Sequence, residues 1–335
     1  MRGASIRTRG SPLKTTAESP RRGRRRPGVP PESSADVPWT WGWFRWAPGE
    51  GWTLTWIVSI HLLAALGLAL FPVPGGKVFA AALALTWLGG LGTTVAYHRA
   101  LAHRSVRLAR PAEAVLTAFA MINGSSAPAS WTANHRLHHA RADGPGDISS
   151  PRLGGFWWAH LRWLWQAEPA AVGRWAPDLA APYYRFWARW QVPVLAASLL
   201  AGAPFGAAAF FWLGPVRLVF ALHAQCFVNS IAHMREAALP GEDSSQNVAW
   251  LGVLHFFQGE NWHANHHAAP RDARIGRTPM QWDAGWWTIL CLERAGLASE
   301  VNRPRAPDPG RPVSGPLDAR ADRWAPMTKE QDSRV

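Results

Sequence analysis

The sequence predicts an all-α integral-membrane protein: four transmembrane helices with a cytoplasmic helical cap holding a histidine-rich dimetal site. Three observations carry that prediction. Apolar residues gather in long blocks rather than in surface-helix periodicity. Arginines flank those blocks, and nine of the 13 histidines fall in three short clusters and one isolated position beside them. Neutral imidazole is the commonest protein ligand for intermediate transition metals.

Taken in order, residues 1–38 read as a disordered basic tail: residues 1–26 hold nine Arg or Lys against one acid, and no apolar signal-peptide core adjoins them. The membrane domain is expected over residues 39–300 of the 335. Trp52–Phe71 and Val78–Tyr97 are each 20 residues without an acidic side chain, the length that crosses a bilayer. Gly154–Arg162 mixes aromatic and basic residues, as an interfacial helix does. Phe186–Ile231 supplies spans three and four, divided by turn-forming residues near Gly202, Pro204 and Gly206. Arg189 and Arg217 interrupt them, and a charge deep in a span needs a partner or a cavity. Residues 301–335, rich in Pro, Arg and Asp, read as a second disordered tail.

Charge sets the orientation. Residues 98–189 carry 11 Arg and five acids, whereas the turns at 72–77 and 202–206 carry only Lys77. Both termini and all the histidine clusters then lie on the cytoplasmic side. The net charge of +13 flanks the spans without any nucleic-acid motif, so its counterparts are membrane lipids or an acidic redox partner rather than nucleic acid. Lys occurs only at 14, 77 and 329, and this Arg-over-Lys bias points to a bacterial inner membrane. Cys226 and Cys291 are too few and too far apart for a disulfide framework or a cysteine zinc site.

His98 and His103 close the second span. On an ideal α-helix they stand roughly 140° apart, so either they serve different metals or the helix unwinds there. His135, His138 and His139 fit one helical face, and His263, His266 and His267 repeat that spacing. His233 follows Asn229 by four residues, so both face one site if the helix continues. Metal-bound imidazoles need outer acceptors, and Asp143, Asp147, Glu260 and Asp272 are near in sequence. Nine imidazoles exceed what one tetrahedral zinc uses and favour a dinuclear redox centre that binds oxygen. His61 and His160 read as hydrogen-bonded packing residues, while His223 and His255 fit either role.

The boxes His98-x4-His103, His135-x2-His138-His139 and His263-x2-His266-His267, with Asn229-Ser-Ile-Ala-His233, give the chain its resemblance to a known family. Over residues 40–295 it resembles the integral-membrane fatty acyl desaturases of the acyl-CoA or acyl-lipid delta-9 type. The resemblance implies two iron ions in a nonheme diiron centre, with O2 and two supplied electrons removing two hydrogens from an acyl chain. It implies that the nine histidines hold the irons, with Asn229 acting through a water. Trp131 would line the bend of the acyl tunnel, and Gln225, a second substrate-binding position, stands where relatives often carry a small hydroxyl residue. Asp147-Ile-Ser-Ser-Pro151, Asn261 and Ala264 also depart from the family pattern. None removes a ligand, so they bear on substrate and position.

No heme-binding His-Pro-Gly-Gly occurs, so the resemblance implies a separate electron donor such as a ferredoxin or a cytochrome b5-like protein. Two alternatives use the same residues. A related membrane diiron hydroxylase would return oxygen to carbon. A non-redox membrane metal-binding protein is disfavoured, because no polar path crosses the spans.

Overall fold

The computed structural model describes residues 37–235 and 242–304. Apart from residues 37–38 and 301–304, the tails expected at 1–38 and 301–335 lie outside the described residues.

Helix α1 (Gly51–Leu70) has no charged side chain and buries only Leu54, Ile57, Ile60, Ala64 and Gly67. Val58, Leu62 and Leu66 face outward, as in a helix surrounded by lipid. At 20 residues it is about 30 Å long, the thickness of a hydrocarbon core. A turn at Gly75 leads into α2 (Gly76–Leu91), which continues as a π-helical stretch, Gly92–Ala102. Helix α3 (Arg110–Ile122) packs against both. At Gly92 an added Cβ would stand 2.3 Å from the Leu116 carbonyl oxygen and 2.4 Å from the Ala120 nitrogen. Helix α4 (Pro128–Arg141) then carries the second histidine cluster back toward the first.

Helix α5 (Pro182–Leu200) is followed by a helical run, Ala207–Ser230, whose last part is α6 (Arg217–Ser230). Among the described residues three helices are long and apolar enough to cross a membrane: α1, Gly76–Ala102 and Ala207–Ser230. Helix α5 is not one of them, because Arg185 and Arg189 sit in its first half. Length and composition thus support three of the four expected spans.

Arg217, the charge that most needed a partner, is buried and fully engaged. Its guanidinium donates to the Leu213 and Ile122 carbonyls, to Asn123 Oδ1 and to Ser198 Oγ. It thereby satisfies a carbonyl at the end of α3 and ties that end to α5 and α6, where an orphaned carbonyl would be costly.

The rest of the chain caps these helices at the end carrying the histidines. A short turn α7 (Leu251–Leu254), α8 (His263–Ala268) and α9 (Ala284–Arg294) follow one another. A two-residue antiparallel clip pairs β1 (Arg107–Leu108) with β2 (Ala298–Ser299). Two buried arginines lock the cap to the π-helical stretch. Arg136 on α4 donates to the Leu101 and Ala102 carbonyls and to both oxygens of Asp178. Arg99 donates to Asp283 at 2.7 Å and to the Gln258 and Ala273 carbonyls. Arg136 thereby supplies donors to the last carbonyls of the π-helical stretch, which would otherwise lack them, while Arg99 ties that stretch to the loops around Gln258 and Ala273.

Candidate metal centre

All nine clustered histidines converge, and they divide into two groups. His98, His103, His135, His139 and His266 form one, and His138, His233, His263 and His267 the other. Within each group the ligand atoms lie within 4.8 Å of one another. Eight of the nine are buried and His135 is half-buried.

The division decides one open alternative and corrects one expectation. His98 and His103 belong to one group, their ring centroids 4.9 Å apart. The reason is the π-helical stretch: an i→i+5 ladder, in which the His103 amide bonds to the His98 carbonyl at 3.1 Å, brings residues five apart onto one side. Conversely, His135, His138 and His139 do not share a face. His135 and His139 turn to the five-membered group and His138 to the other. Helix α8 does the reverse, giving His266 to the five-membered group and His263 and His267 to its neighbour.

His233 arrives differently from the expected helix continuation. Helix α6 ends at Ser230 and the chain turns, with the Ala232 amide reaching back to Phe227. Asn229 lines the cavity beside His138 and His263.

Four carboxylates orient the rings. His98 Nδ1 donates to Glu260 at 2.9 Å, His138 Nδ1 to Asp147 at 2.9 Å, His233 Nδ1 to Asp143 at 3.0 Å and His267 Nδ1 to Asp243 at 2.7 Å. Thr94 donates to Glu260, and Ser150 and Ser244 donate to Asp143. Glu260, Asp143 and Asp147 were legible as neighbours in sequence, whereas Asp272 instead pairs with Arg277 at 2.6 Å. Asp243 was missed; the signal was an acidic pair, Glu242-Asp243, soon after His233.

Electrostatics agree with ionised acceptors. Burial opposes ionisation of Glu260, but the His98, Arg99 and Thr94 contacts outweigh it and bring its pKa down to about 2. Asp143 and Asp243 are held well below the usual carboxylate range despite burial, chiefly by their bonds and charge pairing with His233 and His267. Burial, followed by the neighbouring imidazoles, keeps His103, His135, His139, His263 and His266 well below the ordinary imidazole value. Asp147 reverses the effect of burial at His138, whose pKa is raised.

These tautomers test whether the residues fit a metal. With Nδ1 protonated toward a carboxylate, Nε2 presents a lone pair inward. His98 Nε2 lies 2.9 Å from His266 Nε2, which lies 2.9 Å from His139 Nε2; His103 and His135 approach to 2.7 Å. In the second group His233 Nε2 lies 3.2 Å from His138 Nε2 and 2.9 Å from His263 Nε2. His267 Nε2 and the Nδ1 atoms of His139 and His263 are buried with no partner. A cation among ring nitrogens crowded this closely would satisfy them together, so the donor set fits one metal ion per group. Imidazole suits iron, copper and zinc alike.

A cavity of about 540 Å³ runs past both groups, touching His98 and His135 of one and His138 and His263 of the other. It extends from Glu50 and Thr53 at the start of α1 to Leu195 and Leu218 between the helices. Trp131 lines it, stacked on His135 at 4.8 Å, and so does Gln225, which accepts from Ser125 at 3.2 Å.

Residues 74–274 match the family described as Fatty acid desaturase. Delta-9 acyl-lipid desaturase 1 of Arabidopsis thaliana is 34% identical over 252 residues, 73% of this chain and 81% of the relative. The sn-1 stearoyl-lipid 9-desaturase of Anabaena variabilis is 33% identical over 258 residues, 74% and 94% respectively. An acyl-CoA 5-desaturase of Anemone leveillei is 35% identical over 272 residues, 76% and 81%.

Proposed function

The chain belongs to the fatty acid desaturase family, and from that premise we propose that it introduces a cis double bond at two irons held by its nine clustered histidines, with Asn229 acting through a water. As a desaturase it is an oxidoreductase. O2, two electrons and two protons convert one –CH2–CH2– unit into –CH=CH– and two waters. The irons, when bound, supply the oxygen activation and hydrogen abstraction that no side chain can perform.

The chain's own part is positioning. The observation that carries the reading is one cavity that passes both histidine groups and continues between the helices. Among the described residues its charged lining side chains besides histidine are Glu50 and Glu260, the latter behind His98. An unactivated acyl chain offers nothing for a charge to bind, so shape alone fixes which methylene meets the metals. Trp131, stacked on His135, and Gln225 are the wall residues assigned to that selection.

The acyl carrier is assigned as lipid or CoA, the two classes in the relatives' names. A separate ferredoxin or cytochrome b5-like protein is assigned as electron donor. Helix α5 is read as a fourth membrane helix, its exposed Phe186, Trp190, Val192 and Leu200 supporting that reading. Both termini are assigned to the cytoplasmic face of a bacterial inner membrane, on the charge distribution given above. A membrane domain is assigned to residues 39–300.

Mass spectrometry of lipids from a desaturase-deficient host expressing the chain, beside His138→Ala and His266→Ala controls, tests the reading. A loss of two hydrogens at a mapped bond, in the unmutated protein alone, is expected. An added oxygen would instead identify the hydroxylase reading and overturn ours.

A further inference from the structure

Between the fourth expected span and the third histidine box lies a stretch that the metal centre does not use. Residues 248–258, Val-Ala-Trp-Leu-Gly-Val-Leu-His-Phe-Phe-Gln, contain no charged side chain. They are far too short to cross a bilayer.

Their position is unexpected for a cytoplasmic loop. Phe256 packs on Phe220 with ring centroids 6.2 Å apart, His255 Nε2 donates to the Ala224 carbonyl at 2.6 Å, and Trp250 meets Phe227 at 6.4 Å. Phe220, Ala224 and Phe227 climb one side of α6, and Phe220 lies roughly 15 Å along the axis from Ser230, at the metal-centre end. On the other flank Gln258 Nε2 donates to the Trp87 carbonyl of α2 at 2.8 Å. The stretch therefore reaches about half-way along two helices that are long and apolar enough to cross a membrane.

Its backbone is built for such a depth. The amides of Gly252, Val253, His255, Phe256, Phe257 and Gln258 all bond to carbonyls within the segment. Phe256 and Phe257 adopt left-handed φ values of 48° and 57° to close that hook. Irregular backbone survives at membrane depth only when its polar groups are satisfied by protein.

The two faces differ. Leu254, His255, Phe256 and Gln258 line the cavity. Trp250 and Val253 are exposed by 55% and 63%, and Phe257, against Trp282, continues the outer face. The neighbouring helices also turn apolar side chains outward, Phe79, Leu83 and Trp87 on α2 and Phe220 on α6.

We propose that residues 248–258 form a re-entrant wedge inserted into the acyl-chain region of the bilayer, serving as the side wall between lipid and the cavity. The wedge rests on α2 and α6 crossing the membrane and not on the reaction assigned to the metals, so either can fail alone.

The test uses the full chain in lipid vesicles, with exposed Cys291 changed to serine and buried Cys226 left in place. Val253→Cys is labelled with an environment-sensitive bimane, and Arg271→Cys, at an exposed position on the cap, serves as the aqueous control. The Val253 label should show blue-shifted emission, quenching by nitroxide on lipid acyl chains, and loss of the iodide quenching seen at 271. Iodide quenching equal to that at 271 would overturn the wedge. Quenching by headgroup nitroxide more than by acyl-chain nitroxide would also overturn it, placing the segment on the surface. If Val253→Cys fails to fold, Trp250→Cys gives the same reading.

Discussion

Replacing Glu260 by glutamine removes one charge from behind the five-histidine group while keeping its shape. In the protein as it stands, Glu260 accepts from His98 Nδ1 at 2.9 Å and from Thr94, which fixes His98 with its Nε2 lone pair inward. Glutamine can still accept from Thr94. Toward His98 it offers a weaker neutral acceptor or, flipped, an N–H donor that would force the wrong tautomer. A hydrogen bond to a charged partner contributes about 1.5–3 kcal/mol. Loss of an outer acceptor typically lowers metal affinity about 10–100-fold, which is about 1.4–2.7 kcal/mol and agrees with that range. The other group keeps Asp143, Asp147 and Asp243, so the loss should fall on one ion of the pair. The assay is metal content after graded chelator challenge of the purified protein, with thermal unfolding measured in parallel. One ion should leave at lower chelator than in the unmutated protein while the second is retained. Unchanged affinity for both ions, at unchanged thermal stability, would refute the assignment of Glu260 as the His98 acceptor.

Asp272→Asn is the matched contrast: Asp272 pairs only with the partly exposed Arg277, so metal content should not change and stability should fall by about 1 kcal/mol or less, read by the same assays. Acidification should destabilise the metal-free protein. His103, His135, His139, His263 and His266 are held below the unfolded value of about 6.5, so their contribution is complete above that pH. It is lost as pH falls toward their folded values, the one at His267 being about 4. His138, raised by Asp147, works in the opposite sense, but the others outnumber it. Thermal unfolding in detergent at pH 7.5 and 5.5 checks the sign. Gly92→Ala should cost about 1–3 kcal/mol through overpacking, because its Cβ would meet the Leu116 carbonyl oxygen at 2.3 Å; a melting temperature equal to that of the unmutated protein would show that α3 yields freely.

Composition made the first two spans and the site's residues legible, because a run of 20 uncharged apolar residues and a box of adjacent histidines are both local signals. What was illegible depended on partners distant in sequence. Nothing near Arg217 announces that the end of α3 will receive its guanidinium, nor that Arg136 will receive both oxygens of Asp178. Helix α5 was read as a span from its apolar content, yet Arg185 and Arg189 lower that content over its first half. The five-residue spacing of His98 and His103 left open two targets or a helix that departs from α geometry, and only the packing of α2 decides for the second, as a π-helical stretch.

The two-centre character, however, was written in the boxes more firmly than a single-face reading allowed. Adjacent residues on an α-helix point about 100° apart, so His138 and His139 cannot aim at one ion, and neither can His266 and His267. A triplet with spacing three and one must serve two centres, the i,i+4 pair going to one and the intervening residue to the other. Helices α4 and α8 apply this rule in opposite senses. Each therefore contributes to both groups, and neither group can be completed without both helices. The π-helical stretch then adds His98 and His103 to one group while the turn after α6 adds His233 to the other, which yields five and four. The same opposition puts His135 and His138, from one helix, on successive parts of a single cavity wall. Residues of both groups on α4 thus face the same cavity within one helical turn, so an acyl chain lying there would meet both groups along one wall.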